Sequence, residues 1–187
     1  MDSESLFHAP DEGKIGFRLP RNEEIYEEVV VNGILLASRR IWIATANLKD
    51  LHIKRGRRYL PILEVFDALA SSGVEIRLIH SGVPSRPFQE SLRRCRNLLD
   101  GGMEMLVCPR VHFKMVVVDG KAAYSGSANF TGAGMGVKGK DKRNFELGFW
   151  TDLPPLVEEL SRIFDRAWCG EECGRCRRRS FCPAPID

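Results

Sequence analysis

No stretch of this chain is apolar for long enough to cross a bilayer. The longest apolar run, Val29 to Ala37, is interrupted by Asn32 and Gly33 and falls far short of the roughly 20 residues that a spanning helix needs. The N-terminus lacks a cationic start followed by an apolar run. Met1 to Gly13 is polar and acidic, which argues against a signal or transit peptide, so a cytoplasmic location without a membrane partner is expected. A strong charge of one sign is missing as well. With a net charge of +3 the whole-molecule field is weak, and any affinity for a polyanion has to come from local patches. No internal repeat is visible. What is present is ordinary globular material: 187 residues, 43% hydrophobic and 28% charged, enough for one sizeable domain with a small appendage.

Strand and helix patterns alternate along most of the chain. Lys14 to Leu19 is a short strand candidate ahead of Pro20. Apolar residues at helical spacing between Asn22 and Arg39, with Glu23, Glu24, Glu27 and Glu28 in the early turns, predict a core-packed helix. Ile41 to Ala46 reads as a strand buried on both faces. His52 to Arg58 carries Lys54, Arg55, Arg57 and Arg58 and is expected to be a basic loop, either solvated or touching a nucleic-acid backbone. Helices are predicted over Tyr59 to Ser72 and Pro87 to Leu99, with strands at Val74 to His80 and Met103 to Cys108. Phe145 to Thr151 is a further strand, followed by a helix over Leu153 to Trp168 with Asp152 as its N-cap. These elements predict an α/β fold over residues 1–168, with a mixed, mostly parallel central sheet flanked by helices on both faces. A small cysteine-rich extension occupies residues 169–187.

Between the last two groups lies the stretch where chemistry concentrates. His112-Phe113-Lys114 begins a strand in which alternate residues share a face, so a base and a cation are held side by side. Asp119-Gly120 between two β-rich runs predicts a type I′ hairpin, because that turn needs positive φ at both central residues. The return strand then brings Gly126, Ser127 and Asn129 back toward His112, where backbone amides can approach an anion. The spacing His-x-Lys-x4-Asp-x6-Gly-Ser-x-Asn is the signature of the phospholipase D superfamily, which this segment resembles at every position. Asn144-Phe145-Glu146 resembles the Asn-x-Glu step that follows in that family.

The resemblance implies a metal-independent phosphodiesterase. Family members need two facing copies of the motif and this chain has one, so a homodimer with a shared site is implied. One His112 would act as nucleophile and the second as general acid and then base. Lys114 and Asn129 would clamp phosphate oxygens, with Glu146 orienting the imidazole. Ser127 and Gly126 would contact phosphate, while Asp119 would chiefly hold the hairpin. Lys138 and Lys140, in a glycine-rich loop beyond the motif, are candidates for gripping substrate. Nucleic acid is the expected partner and a nuclease the leading function. A lipid phosphodiesterase and a vestigial nucleic-acid-binding module are the alternatives.

Four of the six cysteines fall at the end of the chain, as Cys169, Cys173, Cys176 and Cys182. Thiolates so spaced can surround one tetrahedral centre. The Cys-x2-Cys-x5-Cys step resembles the 4Fe-4S tails of some DNA-processing nucleases, and structural zinc and disulfides remain open beside a 4Fe-4S cluster. Arg175, Arg177, Arg178 and Arg179 within the cluster suit a phosphate backbone or a solvated face. Cys95 and Cys108 are expected to be buried helix and strand residues.

Overall fold

The computed structural model describes residues 16–55 and 58–186; the polar segment Met1 to Gly13, Lys14 and Arg57 lie outside the described residues. The chain begins with β1 (Phe17–Arg18) and α1 (Glu23–Ile25), which widens into a π-helical stretch (Tyr26–Val31). Then come β2 (Arg40–Thr45), a hairpin of β3 (His52–Arg55) and β4 (Arg58–Pro61), and α2 (Ile62–Ser71). β5 (Glu75–His80), α3 (Arg86–Leu92) and β6 (Met103–Val107) follow. β7 (Lys114–Val118), β8 (Ala122–Gly126), β9 (Gly148–Thr151) and α4 (Pro154–Trp168) complete the domain.

Among the described residues the large sheet has the order β1-β9-β8-β7-β2-β5-β6. Residues of β2 alternate between two cores, as a strand covered on both faces must. Ile41 and Ile43 join Val116 and Val118 of β7 and Phe66 of α2 on one face. Trp42 and Ala44 join Met115 and Val117 of β7 with Val157, Leu160 and Phe164 of α4 on the other. Trp42 stacks on Phe164 with ring centroids 5.0 Å apart.

The α/β architecture and the mixed sheet are as expected, but parallel pairing does not dominate. β2 pairs in parallel with β5, and β5 with β6. The pairs β2 with β7, β7 with β8, β8 with β9 and β1 with β9 are antiparallel. The reason is local: crossover helices serve only the β2-β5-β6 side, while the Asp119-Gly120 hairpin and the return of β9 build the other side without one.

Two further expectations are corrected. The basic stretch after Leu51 is a β-hairpin rather than a loop, because Ile53 is buried in the main core while its basic neighbours face outward. Asp152 does not cap α4: its Oδ1 accepts from the Gly16 N–H at 2.7 Å and so anchors the edge beside β1. The N-cap position belongs to Leu153, whose own N–H donates to Thr151 Oγ1 at 3.1 Å.

Candidate active site

Strand polarity gathers the polar residues at one end of the sheet. Lys114 opens β7 opposite Gly126, the last residue of β8, and Gly126 lies opposite Gly148, the first of β9. The C-terminal end of β2, at Thr45, sits alongside, since Ala44 pairs with Met115. Ends of strands leave side chains and backbone groups unpaired by the ladder, so a site forms there.

His112 is exposed and lies just ahead of β7, whereas Lys114 is only 9% exposed. The Lys114 ammonium donates to the His112 backbone carbonyl at 2.7 Å and lies 3.2 Å from Nδ1 and 3.5 Å from Nε2 of the ring. An ammonium in reach of both ring nitrogens lies against the ring rather than along either in-plane lone pair, so the directed bond is the one to the His112 carbonyl. An imidazole and a cation are thereby held together, but His112 and Phe113 lie ahead of β7, so the contact comes from Lys114 reaching back to the preceding segment rather than from alternation along a strand.

Asn129 is fixed by its carboxamide oxygen, which accepts from the Asn47 N–H at 3.0 Å. A backbone N–H can only donate, so this bond identifies the oxygen and leaves Nδ2 as the free donor. Thr45 braces the same corner, its Oγ1 accepting from the Phe130 N–H at 2.9 Å. Asn129, Asn47, Lys49, Asp50, Lys138 and Asn144 line a polar cleft of about 210 Å³. Lys138 therefore shares a cleft with Asn129, while Lys140, His112 and Lys114 are not among the residues lining it.

Glu146 is buried, and its carboxylate accepts from the Ser127 hydroxyl and from Asn144 Nδ2, the latter at 2.9 Å. Its hydrogen bonds within one chain go to these groups and not to His112, so the residue that Glu146 orients is Ser127. Asn22 holds the Glu146 backbone from the other side, accepting its N–H at 3.0 Å. Gly126 serves close packing: a Cβ there would meet Leu147 O and Gly148 Cα at 2.6 Å.

Asp119 stands apart. It closes the far end of β7, roughly 17 Å along the strand from Lys114 at about 3.4 Å per residue. Its carboxylate accepts from the backbone N–H groups of Ser38, Arg39 and Arg40 and from the Ser38 hydroxyl. Partial burial pulls its pKa upward, but the bonds from Arg40, Ser38 and Arg39 outweigh that and hold the carboxyl below its ordinary value. It is an anchor between hairpin and β2, as its turn chemistry implies.

Sequence reading missed Thr45, Asn47 and Lys49. The available signal is a polar Thr-x-Asn-x-Lys run that starts within the end of the buried strand Ile41 to Ala46 and continues past it, at the strand's carboxyl end.

The tail cysteines are not all together. Cys173, Cys176 and Cys182 line a cavity of about 190 Å³ with Cys108, whereas Cys169 is exposed and is not part of that lining. The backbone of Arg178, and then the Arg110 guanidinium, hold the Cys176 thiol below its ordinary pKa. Among the described residues no group of three or more His, Cys, Asp or Glu side chains already converges to hold an ion. Cys95 is buried, and burial raises its pKa to about 11.

Residues 30–168 match the family model described as cardiolipin synthase, PLD-like domain. Among solved structures, the phospholipase D family member Nuc from Salmonella typhimurium is similar over 82% of this chain and 93% of its own, at 18% identity and a TM-score of 0.59. NucT from Helicobacter pylori is similar over 80% of this chain and 94% of its own, at 15% identity and a TM-score of 0.57. TrmBL2, an archaeal chromatin protein, matches 82% of this chain with 52% of its own, at 13% identity and a TM-score of 0.54. No curated protein matches the chain.

Proposed function

The chain belongs to the PLD-like domain family of cardiolipin synthase type, and from that premise we propose that it is a metal-independent nuclease, a phosphodiesterase whose nucleophile is His112. The observation that carries this reading is the contact of Lys114 with His112 at the end of the sheet where Asn129 is held by Thr45 and Asn47. In the proposed reaction a His112 ring nitrogen attacks phosphorus and displaces the alkoxide, giving a phosphohistidine. His112 of a second copy donates a proton to that alkoxide, then takes one from the water that hydrolyses the intermediate. Lys114 and Asn129 Nδ2 neutralise the phosphate oxygens as charge builds on them.

Two copies are required because each chain has a single complete His-x-Lys-x4-Asp motif: His52-Ile53-Lys54 begins like it, but Tyr59 stands where the Asp is needed. Phe145 supports their meeting at the site: it is 98% exposed, next to the buried Glu146, with Leu147 also exposed beyond it. Such exposed apolar side chains, which follow Asn144 of the cleft lining in the chain, suit burial against an identical surface.

Nucleic acid is favoured as substrate because Lys49 and Lys138 flank the cleft and the β3-β4 hairpin displays further cations. Among the described residues no helix is long and apolar enough to cross a membrane, and Asn47, Lys49, Asp50, Asn129, Lys138 and Asn144 give the cleft a largely polar lining. Purified protein is expected to cleave single- or double-stranded nucleic acid in the presence of chelator, and His112→Ala to lose that activity. Cleavage of phosphatidyl lipids without cleavage of any nucleic acid would establish the lipid reading instead. Activity lost with magnesium and restored by it would refute the histidine mechanism.

A further inference from the structure

We propose that Cys108, together with Cys173, Cys176 and Cys182, forms a four-thiolate site for a metal centre, and that Cys169 lies outside it. Cys108 follows the last residue of β6 and is far from the tail in sequence, yet its side chain faces the same cavity as the other three. Its backbone is fixed by the sheet, the N–H donating to His80 O at 2.8 Å. Cys169 ends α4 with its sulfur 3.9 Å from Asp165 Oδ1, on the exposed surface. A carboxylate is an unfavourable neighbour for a thiolate ligand.

The tail is folded back onto the segment that follows Cys108. Arg178 donates through Nη1 to Pro109 O at 2.9 Å, and Arg110 lines the same cavity as Cys176. Apart from one turn at Arg179–Phe181 the described tail has no helix or strand, and none of its described side chains is fully buried. A segment with so little core is held by few contacts, which is where a bound metal contributes most to folding.

The cavity matches such a centre in composition and size. Thiolates select zinc or iron–sulfur clusters. Around a single zinc, with Zn–S about 2.3 Å, tetrahedral sulfurs stand about 3.8 Å apart. No such tight group occurs among the described residues. Four thiols spread around about 190 Å³ instead leave room for a multi-atom cluster. Either centre with four thiolates is net negative, and the Arg110 and Arg178 guanidiniums are placed to offset it.

The test reads metal content, so it does not depend on the phosphodiesterase reading. Wild-type protein and the variants Cys108→Ala, Cys176→Ala, Cys169→Ala and Cys95→Ala are purified anaerobically. Iron, acid-labile sulfide and zinc per chain are measured, with circular dichroism recorded on each. Wild type, Cys169→Ala and Cys95→Ala are expected to carry the same metal load, and Cys108→Ala and Cys176→Ala to lose most of it while keeping the domain's circular dichroism. Zinc showing that dependence would support the ligand set and refute the cluster. Metal kept by Cys108→Ala but lost by Cys169→Ala would overturn the proposal. So would metal lost equally from Cys95→Ala, or wild type with neither metal and all four thiols reactive.

Discussion

At the scale of single residues, the site depends on side chains whose one free function is set by what their other atoms already hold. Asn129 is the clearest case, because the Asn47 N–H occupies its oxygen and leaves only the amide donor for substrate. Asn129→Asp keeps an acceptor for Asn47 but replaces the donor by an anion facing phosphate. kcat/KM is expected to fall by about 100- to 1,000-fold, with the melting temperature nearly unchanged. An equal loss of stability and activity would show a structural role instead. Asp119→Asn makes the opposite prediction. It should leave kcat near wild type and cost about 1–3 kcal/mol of stability, since an amide cannot accept from three backbone N–H groups as a carboxylate does. The pH dependence follows from the depressed folded-state pKa of Asp119: its contribution is full above the ordinary carboxylate range and lost as pH falls through the folded value. The stability gap between wild type and Asp119→Asn should therefore narrow in acid, as followed by chemical denaturation.

At the scale of elements, the β7-β8 hairpin decides where the site is. Asp119 and Gly120 adopt φ of 56° and 67°, the two positive values that a type I′ turn requires. That turn sets the register in which Lys114 faces Gly126, so the motif's two halves meet at one sheet end. The next crossing, between β8 and β9, is just as tight, because a side chain at Gly126 would strike the backbone of Leu147 and Gly148. Gly126→Ala must push β9 away or distort β8, at about 1–3 kcal/mol, and Ser127 and Glu146 ride on those two ends. Thermal melting should show the loss of stability, and activity should fall beyond what the unfolded fraction explains. A variant with wild-type melting and turnover would mean that the strands yield at no cost.

At the scale of the whole molecule, the proposed site shared between two copies would make activity a property of the assembly. If each site takes one His112 from each of two copies, a heterodimer of wild type and His112→Ala has no working site. Equal amounts reassorted at random then retain about a quarter of full activity, against about half if each subunit works alone. Co-expression with two different tags, followed by tandem purification of the heterodimer, reads this directly: the isolated heterodimer should be inactive. A half-active heterodimer would end the shared-site reading. The apolar pair Phe145 and Leu147 gives an independent handle, because Phe145→Glu puts a charge on the surface proposed to meet its copy. Sedimentation should then show monomer, and activity should fall with it.

The amino-acid order alone determined the local facts: the turn at Asp119-Gly120, the doubly buried β2, and the helix that the structure places at Pro154–Trp168. Each rests on backbone preference or on burial periodicity, which act over a few neighbouring residues. Only the tertiary structure decided which distant segments share a surface. It brought Thr45, Asn47 and Lys49 to the motif, and separated Asp119 from the site by the length of a strand. It also made antiparallel pairing prevail and exchanged Cys169 for Cys108 around the tail cavity. Strand order and the docking of the tail are settled by two cores filling at once from both faces of the sheet, and no window of sequence contains both partners of such a contact.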